Sequence, residues 1–208
     1  MHDSDLPLLR CLMLKGQARI EIVCQALDLP AAALSDRLGN LSSAGLCEQT
    51  KLGWRLTPAG RSRVEDGLRA ERDAAGQDSA EALYADFLPL NASFKQIAFD
   101  WQMRSLNGES IANDHSDAAY DEAVIARLAA AHETLRAYLT RVAALASRFC
   151  TYEKRFETAL QRLRAGERRY FAAPLIDSYH TVWFELHEDL ISLAGLTRAQ
   201  EAAKGHGA

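Results

Sequence analysis

LPAAALSDRLGNLSSAGLCEQTKLGWRLTPAGR, residues 29–61, decides how the first third of the chain folds. Leu34, Leu38 and Leu41 recur at helical spacing, while Asp36, Arg37 and Asn40 fall away from that stripe, so one face packs and the other is left to read a partner. Pro30 suits the first turn of this helix, and Gly45 can take the positive φ that closes it. Leu46 to Lys51 and Trp54 to Thr57 then flank a tight turn at Leu52-Gly53, and Thr57-Pro58 caps the helix that follows.

Upstream, Leu6, Leu9, Leu12 and Met13 mark a first helix that Gly16 ends, and Ile20, Val23, Cys24 and Leu27 mark a second. Three helices, a hairpin and a departing helix follow one another in the order of a winged helix-turn-helix. Through AALSDRLGNLSSAGL and GWRLTPAGR the chain resembles the winged-helix regulators of bacteria, especially MarR-like and PaaX-like ones, over its first third. The resemblance implies double-stranded DNA as partner, usually bound by a homodimer on a palindrome, and names no effector. On this reading Arg37 is suited to a guanine edge and Asn40 to adenine, with Ser35 and Ser42 at phosphates or on the helix surface. Lys51 and Arg55 straddle the wing tip, and Arg61 and Arg63 begin the next helix, where they face the DNA backbone or simply a solvated surface. The alternative is a module that binds protein instead of DNA and uses the winged helix as a packing surface.

The net charge of −4 is unusual for such a protein until it is divided along the chain. Residues 1–75 carry ten basic and ten acidic side chains, so all the excess acid lies beyond them. Within residues 51–72, Lys51, Arg55, Arg61, Arg63, Arg69 and Arg72 outnumber Glu65, Asp66 and Glu71, the local bias that phosphate binding uses. Four cysteines, Cys11, Cys24, Cys47 and Cys150, form no C-x-x-C pair, which excludes a zinc ribbon. An acidic N-terminus, an early apolar run broken by Arg10 and no run long enough to cross a bilayer lead to the expectation of a cytoplasmic protein with no membrane partner.

The small polar stretch AAGQDS (residues 74–79) reads as a bend or linker between a winged-helix domain (1–75) and a second domain (79–196). Every aromatic residue except Trp54 lies after residue 80, which gives the second domain the larger core. Its pattern is helical throughout, and the fold class expected is mainly α, a small β-hairpin wing being followed by an all-helical bundle. The expected elements are a segment from Ser79 to Leu90 interrupted by Pro89, a second capped by Asn91, and a polar loop over 105–117. A long helix then starts from Ser116, another from Thr151, and a last one from near Pro174 to Leu193. Residues 197–208 are expected to be disordered. The bundle is also the expected dimerisation surface.

In DSYHTVWFELHEDL (residues 177–190), a step of 100° per residue places Tyr179, Trp183, Leu186 and Leu190 on one stripe. His180 and His187 fall at its edge, while Ser178, Glu185 and Asp189 point the other way. NDHSDAAYD (residues 113–121) adds His115, and DWQMR (residues 100–104) adds Trp101 and Arg104. Three readings fit this set: histidines satisfied in the core, a small-molecule effector pocket lined by Trp101, Arg104, His115, Tyr179, His180, Trp183 and His187, or a metal site of imidazoles and a carboxylate. No short H-x-x-x-H spacing fixes two metal ligands in advance. There is no G-x-S-x-G, P-loop, dinucleotide glycine pattern or H-E-x-x-H, so neither a catalytic residue nor a cofactor is assigned.

Overall fold

A computed structural model describes residues 5–106 and 108–203. The chain is mainly helical with a small antiparallel sheet. It begins with α1 (Leu6–Lys15), which Gly16 ends at φ 66°, followed by the two-residue β1 (Gln17–Ala18) and α2 (Ile20–Leu27). Asp28, in the left-handed region at φ 54°, Leu29 and Pro30 make a three-residue turn into α3 (Ala31–Ser43). Strands β2 (Cys47–Thr50) and β3 (Gly53–Leu56) form a hairpin, and β1 pairs on the far side of β3, giving the order β1-β3-β2. Thr50 pairs with Gly53, so the two turn residues are Lys51-Leu52, one position earlier than the sequence predicted. Gly53 stands at φ 129°, and a side chain there would run into the carbonyl of Ala18.

Thr57 links the hairpin to α4 (Pro58–Ala75) by accepting a hydrogen bond from the backbone N–H of Gly60 and donating one to the Gly45 carbonyl at 2.6 Å. Leu8, Leu9, Leu12, Val23, Leu34, Leu38 and Val64 form the core of residues 6–68.

Gly76, at φ 81°, separates α4 from α5 (Gln77–Gln102). The sequence predicted two segments here, and the structure has one helix that runs through Pro89. Pro89 is exposed, so its ring and missing N–H fall on the solvent side while Phe87 and Phe94 anchor the helix on either side of it. Asn91 does not cap a helix; it is buried and accepts a hydrogen bond from Trp183 Nε1 at 2.9 Å.

The second half of the chain is not all-helical. Strands β4 (Met103–Leu106) and β5 (Glu109–Ala112) pair antiparallel where a polar loop was expected. Next come α6 (Ala118–Leu145), capped by Asp117 rather than Ser116, and α7 (Cys150–Arg164). The last long helix, α8 (Tyr179–Leu193), starts five residues after Pro174, at a cap made by the Ser178 hydroxyl. Part of the expected disordered tail is also a helix, α9 (Arg198–Ala203), and residues 204–208 lie outside the described residues. The larger core is rich in aromatic rings and lies among α5 to α8.

Between the two cores lies a buried set of ion pairs. Arg10 of α1 reaches Asp189 at 2.7 Å, and Lys15 reaches Asp177 at 3.0 Å and Glu185 at 2.8 Å. Arg155 binds the same Asp177 and Glu185 at 2.7 and 2.6 Å, while Arg148 joins Asp189 to Glu71 of α4. Tyr152 completes the set by donating to Asp189 at 2.5 Å. Glu185 and Asp189, expected to point away from the core, are therefore buried in it. Helix α8 is surrounded by α4, α5 and α7, so the face opposite its apolar stripe also lies inside the protein.

Candidate nucleic-acid interface and the aromatic interior

Helix α3 turns Leu34, Leu38 and Leu41 into the core and leaves Ser35, Asp36 and Asn40 exposed, with Ser42 half-buried. Arg37 is also half-buried, and its guanidinium holds the Asp5 carboxylate through Nε at 3.2 Å and Nη2 at 2.9 Å. On the hairpin Lys51 is exposed at the turn, while Arg55 pairs with Glu48 of the neighbouring strand at 2.7 Å. Arg61 is exposed in the first turn of α4, and Arg63 is half-buried. The residues named for DNA contact thus lie on α3, the hairpin and the start of α4. Two of the arginines already hold a carboxylate that a phosphate or base would have to displace.

The residues named for an effector pocket do not surround a common space. Phe87, Phe94 and Trp101 lie at seven-residue steps along α5, about 10 Å apart at 1.5 Å per residue. His187 packs against Phe87 at 5.2 Å, His180 against Phe94 at 5.8 Å and His115 against Trp101 at 4.5 Å between ring centres. Three histidines spread along a helix in this way do not converge on one metal ion. Among the described residues, no group of three or more histidine, cysteine, aspartate or glutamate side chains is placed to hold one. Trp183 is stacked on Phe94 at 4.2 Å, and Tyr179 shares a hydrogen bond with His132 Nδ1 at 3.2 Å, so these rings fill the space between α5 and α8 themselves.

Trp101, Arg104 and His115 do come together at the end carrying β4 and β5. Trp101 stacks on Phe171 at 4.4 Å, and Arg104 pairs with Asp114 at 3.3 Å. His115, at φ 59°, places Nδ1 3.0 Å from Asp121, whose carboxylate also accepts from Asn113 at 2.9 Å.

Burial sets the protonation of the interior. It lowers the His180 imidazole from its ordinary value and brings His187 to about 4. The Tyr84 hydroxyl donates to Glu201 at 2.7 Å, so it accepts from His187 Nε2, and His187 Nδ1 remains a buried lone pair with no partner among the described residues. For Asp177 and Asp189, burial raises the carboxyl pKa, but Arg155 and Lys15 at the first and Arg148 and Arg10 at the second outweigh it and hold both below the usual range. Burial pushes the Cys11 thiol up to about 12, the reverse of what a reactive thiolate needs.

Sequence reasoning missed the ion pairs between the two cores. Their signal was Arg10 within the otherwise apolar LPLLRCLML run, a break that proves to be a buried charge with partners. It also missed two open clefts. One, of about 540 Å³, runs between the first core and α8, and Leu52, Leu175 and Phe184, three of the exposed large apolar side chains, line it. The other, of about 530 Å³, lies between α6 and the end of α7. No helix among the described residues is long and apolar enough to cross a membrane. No family model, curated protein or solved structure matches the chain.

Proposed function

We propose that the chain is a DNA-binding transcriptional regulator, with an N-terminal winged helix-turn-helix, a C-terminal helical domain that dimerises and senses a small molecule, and repression as its mode of action. One observation carries this reading. The α3 helix follows α2 after a three-residue turn, buries its leucine face and leaves Ser35, Asp36 and Asn40 uncovered, with a two-stranded hairpin and its Lys51 beside it. A helix so presented fits the major groove, and a hairpin tip carrying a cation fits the adjacent backbone. Two copies set about 34 Å apart would place both α3 helices on one face of a palindromic site. An effector that favours a DNA-incompetent arrangement would release the operator by shifting the population of states. Selection of bound duplexes from a randomised pool tests the reading, since a regulator enriches a two-fold symmetric site and loses affinity steeply with salt.

A second reading, a protein-interaction module, is favoured by the apolar rim at the hairpin. Leu52 at the turn is 69% exposed and shares a cleft with Leu175, which is 87% exposed. Failure to enrich any duplex, together with loss of a protein partner in Leu52→Ser, would favour it.

A further inference from the structure

Helix α6 carries alanine at 118, 126 and 129 where it faces the end of α7, and this lack of bulk opens the 530 Å³ cleft over Ile125 and Leu163. Its volume falls in the range of small-molecule sites. Two cations stand at its edge. The Arg164 side chain is exposed and has no hydrogen bond or ion pair among the described residues, and Arg168 reaches Asp121 only at 3.4 Å. Asp121 is already occupied by Asn113 and His115, so Arg168 is loosely held. The wall has no aromatic ring, which matches an alkyl chain better than an aryl group. Asp121 and Glu122, also in the lining, oppose a ligand with more than one negative charge.

We propose that this cleft binds an aliphatic monocarboxylate, its chain on Ile125, Ala126, Ala129 and Leu163 and its carboxylate between Arg164 and Arg168, and that occupancy is felt at α3 through α7. Helix α7, about 22 Å long at 1.5 Å per residue, ends at the cleft with Leu163 and Arg164. Its opposite end holds the first core: Lys154 pairs at 2.6 Å with Asp28 in the turn between α2 and α3, and Arg155 shares Asp177 and Glu185 with Lys15. A ligand with different affinity for two settings of α7 changes which setting the turn before α3 adopts. The DNA arm of this inference rests on the regulator reading, and the binding arm does not.

Calorimetric titration of the full chain with octanoate, and with octylammonium and 1-octanol as controls, tests the cleft without DNA. Octanoate is expected to bind once per chain, and the controls at least tenfold more weakly. Arg164→Ala with Arg168→Ala should weaken octanoate at least tenfold. Ala126→Phe, a filling change at an exposed position, should abolish binding and leave thermal melting unchanged. No octanoate binding to the wild type, equal binding by octylammonium, or octanoate binding untouched by both variants overturns the assignment. If Ala126→Phe instead converts a dimer to a monomer in sedimentation, the cleft belongs to a second copy and the assignment is overturned.

With a bound duplex, saturating octanoate should change wild-type DNA affinity several-fold, and Lys154→Ala should remove that change while retaining octanoate binding. Octanoate binding with no change in DNA affinity overturns the coupling. A protein that binds octanoate but no duplex removes the coupling together with the regulator reading and leaves the cleft standing.

Discussion

Arg37 shows how a single side chain in this protein can be both poised and restrained. Its guanidinium is suited to a base edge, yet Asp5 holds it, with both side chains about 30% exposed. A pair so exposed contributes roughly 0.2–1 kcal/mol, so on the regulator reading proposed above Asp5→Asn should tighten DNA binding by about 1.5- to 5-fold in fluorescence anisotropy, and unchanged or weaker binding would contradict the competition. His187 is restrained by burial instead. Its pKa falls from 6.5 to about 4, so the unfolded chain takes up a proton at a higher pH than the folded one. The stability this provides is fully present above about pH 6.5 and is lost as the pH falls toward 4, on the order of 3 kcal/mol at most. Urea denaturation between pH 7 and 4.5 should show a steeper loss for the wild type than for His187→Gln, by close to one proton; equal slopes would contradict the buried neutral histidine.

Among the elements, the hairpin and α4 are joined most tightly at Gly60. A side chain there would press on the Leu46 carbonyl, and Gly60 also supplies the N–H that Thr57 accepts. Gly60→Ala should cost about 1–3 kcal/mol in urea denaturation and move the hairpin relative to α4, whereas a cost near zero would mean that the junction is slack. The sequence made α3 legible because its three leucines keep one period between two clear boundary residues. It hid the β4–β5 pair: Asn107-Gly108 is a hairpin turn signal, but Arg104, Ser105 and Ser110 beside it lack the alternating apolar pattern that marks a strand. Helix α9 was hidden for a different reason. The tail is polar, and Glu201 is buried because Tyr84, more than a hundred residues earlier, supplies its hydrogen bond. Pro89 misled the reading of α5, since tertiary packing on both sides of it overrides its tendency to break a helix. The same limit applies to the histidine group, because helical spacing placed His180 and His187 near one stripe but could not show that neighbouring rings already fill it.

At the scale of the molecule, the buried ion pairs couple the two cores. Arg10, Lys15, Arg148 and Arg155 face Glu71, Asp177, Glu185 and Asp189, so charge balances only while α1 and α4 stay against α7 and α8. Removing one member leaves a buried charge without its partner, and Asp189→Asn should lower stability by about 3–5 kcal/mol. The wild type should unfold in one transition by circular dichroism and by tryptophan fluorescence, and two separated transitions would show that the cores act independently. Asp177 and Asp189 have folded-state values below the ordinary carboxylate range, so their stabilisation is present above about pH 4 and is lost as the pH falls further. This coupling of the two cores rests on charges that the linear sequence scatters over nearly 180 positions.

The most direct test of the regulator account is anisotropy of a labelled duplex, taken from the selected pool, across a potassium chloride series with wild type, Arg37→Ala and Lys51→Ala. The account predicts binding that weakens steeply with salt, a loss of about 1–3 kcal/mol with relaxed sequence preference for Arg37→Ala, and a uniform loss with a salt slope smaller by about one for Lys51→Ala. Absence of saturable binding by the intact protein at low salt, or identical curves for all three proteins, would contradict it.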